Sequence, residues 1–138
     1  MFSYERRVAF SDTDAMGVTH HANYVRYLEE ARVAWMRARG LQNTHFPKSE
    51  HVLAVLNFQV WHLKPSTFDD VLTVQVQARG ERARIRFQYA VLKNGERIAE
   101  GETLHIPVNA QLRPVRPAAE LTAQLEKEPW IETWLSNS

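Results

Sequence analysis

The spacing of apolar residues predicts one long helix in the first third of the chain. Between residues 24 and 38, apolar side chains recur at helical intervals and charged residues fall largely between them. The apolar stripe consists of Tyr24, Tyr27, Leu28, Ala31, Trp35 and Ala38. Asn23 is typical of a helix N-cap, and Gly40 is typical of the first residue beyond a helix C-terminus. We therefore expect an amphipathic helix over 24–38.

Strand patterns flank this helix. Residues 2–10 predict a first strand that places Tyr4, Val8 and Phe10 on one face. Beyond the helix, alternating or strongly apolar segments predict four more strands, over 52–63, 71–78, 82–92 and 97–108. Asn94-Gly95 is a hairpin signal between the last two, and we expect the four strands to form a meander. A shorter helix is predicted over 118–127, and Trp130 and Trp134 are expected to pack the last segment onto the body or a neighbour.

These elements predict an α+β fold in one domain spanning 1–138. A single long helix must bury its apolar stripe, and a sheet is the only large surface available to it. We therefore expect a curved, five-stranded antiparallel sheet wrapped around the long helix, with the short helix at the C-terminal end. The edges of such a sheet carry unpaired backbone groups, which favours pairing with a second copy of the chain.

Composition narrows the class of protein. Of the 138 residues, 44% are hydrophobic and 24% charged, and no apolar run approaches the ~20 residues of a membrane-spanning helix. The N-terminus lacks the apolar core of a signal peptide, so we expect a cytoplasmic protein without an integral membrane segment. The absence of cysteine excludes thiol nucleophiles and thiolate zinc sites. A net charge of +1 gives no global field for binding nucleic acid.

The segment between the first strand and the long helix carries the candidate chemistry. Asp14 precedes Gly17 in a predicted turn, and His20 and His21 come just before the helix N-terminus. Free backbone N–H groups at that terminus could hold an oxyanion, while a nearby carboxylate attacks a carbonyl or activates water. Alternatively, Asp12 and Asp14 only satisfy loop amides in Asx turns, and the histidines are structural. The residues alone leave the function open.

Two motifs in register resemble a known family. The first motif consists of Asp12, Asp14, Gly17, His21, Asn23 and Tyr24, and is followed by Glu29, Glu30, Ala31 and Arg32 on the helix. The second motif consists of Pro65, Asp70, Leu72 and Val74. With the order of the elements, these residues resemble the 4-hydroxybenzoyl-CoA thioesterase-type hotdog family, which includes the acyl-CoA thioesterases of the Tol-Pal gene cluster.

The resemblance implies a hotdog fold and the hydrolysis of an acyl-CoA thioester to a carboxylic acid and CoA. It implies that Asp14 is the catalytic carboxylate, that His21 lies at the oxyanion-hole position, and that Asn23 and Tyr24 contact the substrate. It also implies a homodimer that pairs again into a homotetramer, and neither a cofactor nor a metal. Phe10 stands where closer relatives often carry Tyr, so a hydroxyl group is missing, and Met16 replaces a smaller residue.

Three arginines are candidates for binding CoA. Arg82, Arg84 and Arg86 alternate along a predicted strand and either form a solvated outer face or bind the phosphates of CoA. The resemblance favours phosphate binding. Two other functions stay open: a hotdog dehydratase or hydratase acting on acyl thioesters, and a non-catalytic acyl-CoA-binding module. The remaining histidines have no metal-ligand spacing and are interpreted as structural: His45, His51, His62 and His105.

Overall fold

The computed structural model describes residues 1–41 and 52–136. Its strands are β1 (Phe2–Arg7), β2 (Val52–His62), β3 (Val71–Glu81), β4 (Arg84–Lys93) and β5 (Glu96–Val108). Its helices are α1 (Ala22–Ala38) and α2 (Ala119–Lys127), and a short 3-10 helix spans Phe10–Asp12. Neither α-helix in the described ranges is long and apolar enough to cross a membrane.

The strands form one antiparallel sheet in the order β1-β3-β4-β5-β2. The meander predicted for β3, β4 and β5 is confirmed, but its predicted extension to β2 is wrong. Strand β1 occupies the free edge of β3, with Tyr4 opposite Val74, so β2 pairs with β5 instead. Strand β2 is consequently an edge strand, on the opposite side of the sheet from β1.

Helix α1 packs on the inner face of the sheet, as the apolar stripe predicted. The inner face presents Leu72, Val74, Val76 and Ala78 from β3 and Ile85, Phe87, Tyr89 and Val91 from β4, all of them buried. Gly101 on β5 lies directly against the helix, since an added Cβ would collide with Leu28 Cδ1. This helix wrapped by a five-stranded sheet is the expected hotdog architecture.

The two ends of α1 differ in how well the sequence predicted them. At the C-terminus, Gly40 follows the helix with φ +72°, which confirms its role beyond the last turn. At the N-terminus, the predicted N-cap is wrong: the helix begins at Ala22, so Asn23 already lies inside it. The Asn23 side chain instead donates its amide N–H to the backbone carbonyl of Asp12, at 2.8 Å.

Residues 129–136, the C-terminal strap, lie against the outer face of the sheet. Gln77 on β3 exchanges two hydrogen bonds with the backbone of Ile131, at 3.0 and 3.1 Å. The buried Glu100 carboxylate on β5 accepts the backbone N–H of Ser136 at 3.0 Å. Trp130 and Trp134 lie beside arginines of β3 and β5, with guanidinium carbons 4.4 and 5.2 Å from the ring centroids. The last segment therefore packs onto the body of the protein, as expected.

Candidate active site

Strand β1 ends earlier than predicted because Asp12 folds the chain back. The strand stops at Arg7, and Phe10, expected on its apolar face, lies in the 3-10 helix with 69% of its surface exposed. The Asp12 carboxylate accepts the backbone N–H of Ala9 at 3.0 Å, and the Asp12 N–H donates to the Ala9 carbonyl at 2.9 Å. These two hydrogen bonds between Ala9 and Asp12 close a tight turn, which the alternation of apolar and polar residues does not predict.

Asp12 is also the point where this turn is attached to α1. Its carboxylate belongs to a residue that is 1% exposed, accepts the Tyr27 hydroxyl at 2.6 Å, and is paired with Arg26. Burial alone would raise the pKa of Asp12, but the hydrogen bonds from Tyr27, Ala9 and Arg26 outweigh burial and hold that pKa below its ordinary value. Asp12 thus closes the predicted turn and also connects the end of β1 to α1.

Asp14 lies in a small hairpin closed by a bridge between Thr13 and Thr19. The carbonyl of Asp14 accepts the Gly17 N–H at 3.0 Å, and its Oδ1 accepts the Met16 N–H at 2.8 Å. The predicted Asx turn is therefore present at Asp14. Within the described ranges, the second carboxylate oxygen has no hydrogen-bond donor, so the half-buried side chain keeps one oxygen available.

The start of α1 offers one free amide among the described residues. The backbone N–H of His20 donates to Asp12, that of Ala22 to Nδ1 of His20, and those of Asn23 and Tyr24 to the preceding turn. In the described part of the chain, the His21 N–H has no acceptor. A free N–H at the positive end of a 17-residue helix suits the binding of a polarised carbonyl oxygen.

A cavity of about 280 Å³ is lined in part by His21. Its walls are Thr19, His21, Tyr24, His62, Leu63, Lys64 and Pro65. The ring of Tyr24 stacks on that of His62, with centroids 4.9 Å apart, and its hydroxyl lies 2.9 Å from the Ser66 hydroxyl. Partial burial and the nearby His21 keep the pKa of His62 below its ordinary value. The sequence interpretation treated His62 as structural and so missed its place in this cavity.

The structure distributes the predicted site residues over two regions. His21 and Tyr24 line the cavity, Asn23 donates a hydrogen bond to the Asp12 carbonyl, and Asp14 lies in the hairpin that contains Thr19. The three arginines lie elsewhere, at the β3–β4 hairpin and on β4. Arg86 is bonded to Glu81 and Glu102, at 2.6 and 2.8 Å.

Arg82 and Arg84 are exposed and make no ion pair with the described residues. They line a separate cavity of about 290 Å³, between the β3–β4 hairpin and α2.

Of the other histidines, His45 and His51 lie outside the described residues. His105 is buried in the core, where its Nε2 lies 2.7 Å from the Thr103 hydroxyl and 3.1 Å from an Arg32 nitrogen. Burial and Arg32 lower the pKa of His105 to about 3, so its ring is neutral at physiological pH. These contacts agree with the structural role predicted for His105.

Comparison with known proteins points to one enzyme class. Residues 8–133 match the sequence profile of the thioesterase-like superfamily. The acyl-CoA thioesterase YbgC of Haemophilus influenzae is 30% identical over 95 residues, covering 67% of this chain and 70% of that protein. The 1,4-dihydroxy-2-naphthoyl-CoA hydrolase of Synechococcus elongatus is 27% identical over 122 residues, covering 86% and 90%. The crystal structure of a hypothetical protein from Aquifex aeolicus matches with a TM-score of 0.85 at 33% identity, covering 91% of this chain and 99% of that chain.

Proposed function

The chain belongs to the thioesterase-like superfamily and is a thioester hydrolase; on this basis we propose that it hydrolyses an acyl-CoA to a free carboxylic acid and CoA. The names of two relatives specify CoA thioesters, which supports this substrate class. The observation that carries the proposal is the free His21 N–H at the start of α1, next to a hairpin whose Asp14 carboxylate has one oxygen without a donor among the described residues.

The His21 N–H would bind the thioester carbonyl. As the carbonyl carbon is attacked, negative charge grows on its oxygen, and a fixed amide at the positive end of a helix stabilises that charge. Asp12 holds this amide in place, since its backbone carbonyl accepts the N–H of His20 at 2.8 Å and the side-chain amide of Asn23 at 2.8 Å. Asn23 thus shapes the site, while the ring of Tyr24 forms one of its walls.

Asp14 would supply the reactive carboxylate. The Met16 N–H fixes one of its oxygens, which leaves the other to attack the acyl carbon or to activate water. The hairpin is attached to the protein body through Thr19, whose backbone N–H donates to the Ser66 carbonyl at 2.7 Å. The side chain is therefore oriented before substrate arrives.

Of the three arginines, Arg82 and Arg84 are the better candidates for binding the CoA phosphates. A guanidinium that already holds two carboxylates, as in Arg86, has to give up those partners to bind phosphate. Arg82 and Arg84 flank a cavity and are exposed. Their charges are available for a phosphate at little desolvation cost.

We further propose a homodimer as the smallest active unit. Strand β2 is an edge of 11 residues that presents its backbone groups to solvent, with Val55 and Leu56 exposed by 52% and 47%. Pairing two such edges would continue the sheet and cover these side chains. His62 ends this strand, so a partner at β2 would also form a wall near the cavity. A tetramer would require a second interface.

The test is Asp14→Asn, assayed with a panel of acyl-CoAs and a thiol-detecting dye. Asparagine can still accept the Met16 N–H but has no negative charge, so we expect kcat to fall at least ~100-fold while CoA binding persists. Near-normal turnover by the purified variant would refute the role of Asp14. Wild-type protein that binds acyl-CoA but releases no thiol would instead identify a binding module.

A further inference from the structure

His62 faces the same cavity as the proposed oxyanion site, although it lies far from the catalytic motif in sequence. It is the last residue of β2, and its ring stacks on Tyr24 with an interplanar angle of 27°. Tyr24 is only 2% exposed and is anchored by Ser66, which is itself 2.6 Å from the Thr19 hydroxyl. One face of the exposed His62 ring thus packs on Tyr24, a buried residue of the network that also holds the Asp14 hairpin.

The ring nitrogens of His62 have no hydrogen-bond partner within the described ranges. The titratable groups that line the cavity with it are His21, at the N-cap of α1, Tyr24 of α1, and Lys64 of the β2–β3 connection. Lys64 is paired with Glu96 of β5 at 2.9 Å, so its charge is balanced. Partial burial, and to a smaller extent the nearby His21, lower the pKa of His62, which favours the neutral ring that can accept a proton.

We propose that His62 is a second catalytic residue, the acceptor of the proton from the hydrolytic water, and that this leaves Asp14 free to act as the nucleophile. This inference rests on the proposed function. In the first step an Asp14 oxygen bonds to the acyl carbon, the C–S bond breaks, and CoA leaves as the thiolate. In the second step water attacks the acyl carbon, one of its protons passes to His62, and the acyl–Asp14 bond breaks to release the acid. His62 then returns its proton to the thiolate or to solvent.

Two variants separate proton transfer from packing. His62→Phe keeps an aromatic ring against Tyr24 but removes the proton acceptor. Attack by Asp14 should then continue while hydrolysis of the acyl-enzyme slows. We expect a burst of about one thiol per subunit, followed by turnover ~100-fold or more below wild type, the usual loss for a general base. His62→Ala opens space for a small base, and added imidazole should restore part of its turnover.

The kinetics of His62→Phe decide whether His62 accepts the proton. Unchanged kcat in His62→Phe would overturn it, as would a loss of turnover without a thiol burst, because His62 would then act before thiol release. The acid side of the wild-type kcat profile should fall as His62 becomes protonated, and this limb should be absent in His62→Phe. Failure of the proposed function gives a different result, namely no thiol release from any acyl-CoA by the wild-type protein.

Discussion

Replacing Asp12 by Asn should reduce stability, whereas the same change at Asp14 should reduce activity. The amide oxygen introduced at position 12 can face Ala9 and Tyr27, but the bonds they donate lose their charge assistance. Hydrogen bonds to charged groups contribute about 1.5–3 kcal/mol and neutral ones about 1 kcal/mol, so each bond weakens by roughly 1 kcal/mol. The half-exposed Arg26 adds at most about 1 kcal/mol.

The expected loss for Asp12→Asn is therefore about 3 kcal/mol in the free energy of unfolding, or roughly 10 °C in Tm for a domain of this size. The loss should also depend on pH. Because the folded pKa of Asp12 is lowered, its stabilisation is fully present above the unfolded pKa of about 3.9 and disappears as pH falls through the folded value. Wild type and Asp12→Asn should thus converge in acid.

Chemical denaturation at neutral and acidic pH measures this difference, with Asp14→Asn as the matched control. The amide introduced at position 14 can keep the bond from Met16 in an exposed turn, so the free energy of unfolding should change by less than about 0.5 kcal/mol. A Tm for Asp12→Asn within about 2 °C of wild type would refute the reasoning. So would a gap between the two proteins that persists at low pH.

Three further changes test other parts of the structure. Arg82→Ala with Arg84→Ala should raise KM for acyl-CoA more than it lowers kcat, and should have little effect on acyl-pantetheine, whereas an equal loss on both substrates would indicate damage to the fold. Arg86→Ala should instead lower Tm without this substrate dependence, because it removes one of the partners of each of two carboxylates, Glu81 and Glu102. Gly101→Ala should destabilise the protein by about 1–3 kcal/mol, measured by denaturation, since its Cβ would collide with Leu28. Light scattering after gel filtration should give the mass of a dimer, and dilution to the monomer should abolish activity. A fully active monomer would contradict the proposed dimer.

The elements that the sequence predicted well are those with local causes. Helix α1 follows from the spacing of its apolar residues, and β3 and β4 follow from strict alternation. The neighbour of β2 could not be predicted in this way, because pairing with β5 depends on β1 already occupying the edge of β3. The end of β1 depends similarly on a side chain, since the Asp12 carboxylate turns the chain before the apolar Phe10.

The candidate site was predicted where its residues are contiguous in sequence. His21 lies at the helix start, as the motif indicated, and Asp14 lies in the Asx turn that the alternative interpretation predicted. His62 escaped detection because its contact with Tyr24 joins two elements distant in sequence. Arg86 looked equivalent to Arg82 and Arg84, since alternation gives the face of a strand but not the carboxylates that an arginine meets across neighbouring strands.

The two carboxylates of the motif, only two residues apart, are open to different evolutionary pressures. Asp12 contacts residues of both β1 and α1. Selection for a stable fold alone should therefore remove substitutions of Asp12. Asp14 depends on its own short hairpin, and an amide could replace its carboxylate there without disturbing its neighbours. Under the role proposed for Asp14, a gene duplicate could therefore lose catalysis by one substitution at this position and survive as a folded protein that still binds the substrate. Descendants of such an enzyme are expected to keep the first aspartate long after the second has drifted.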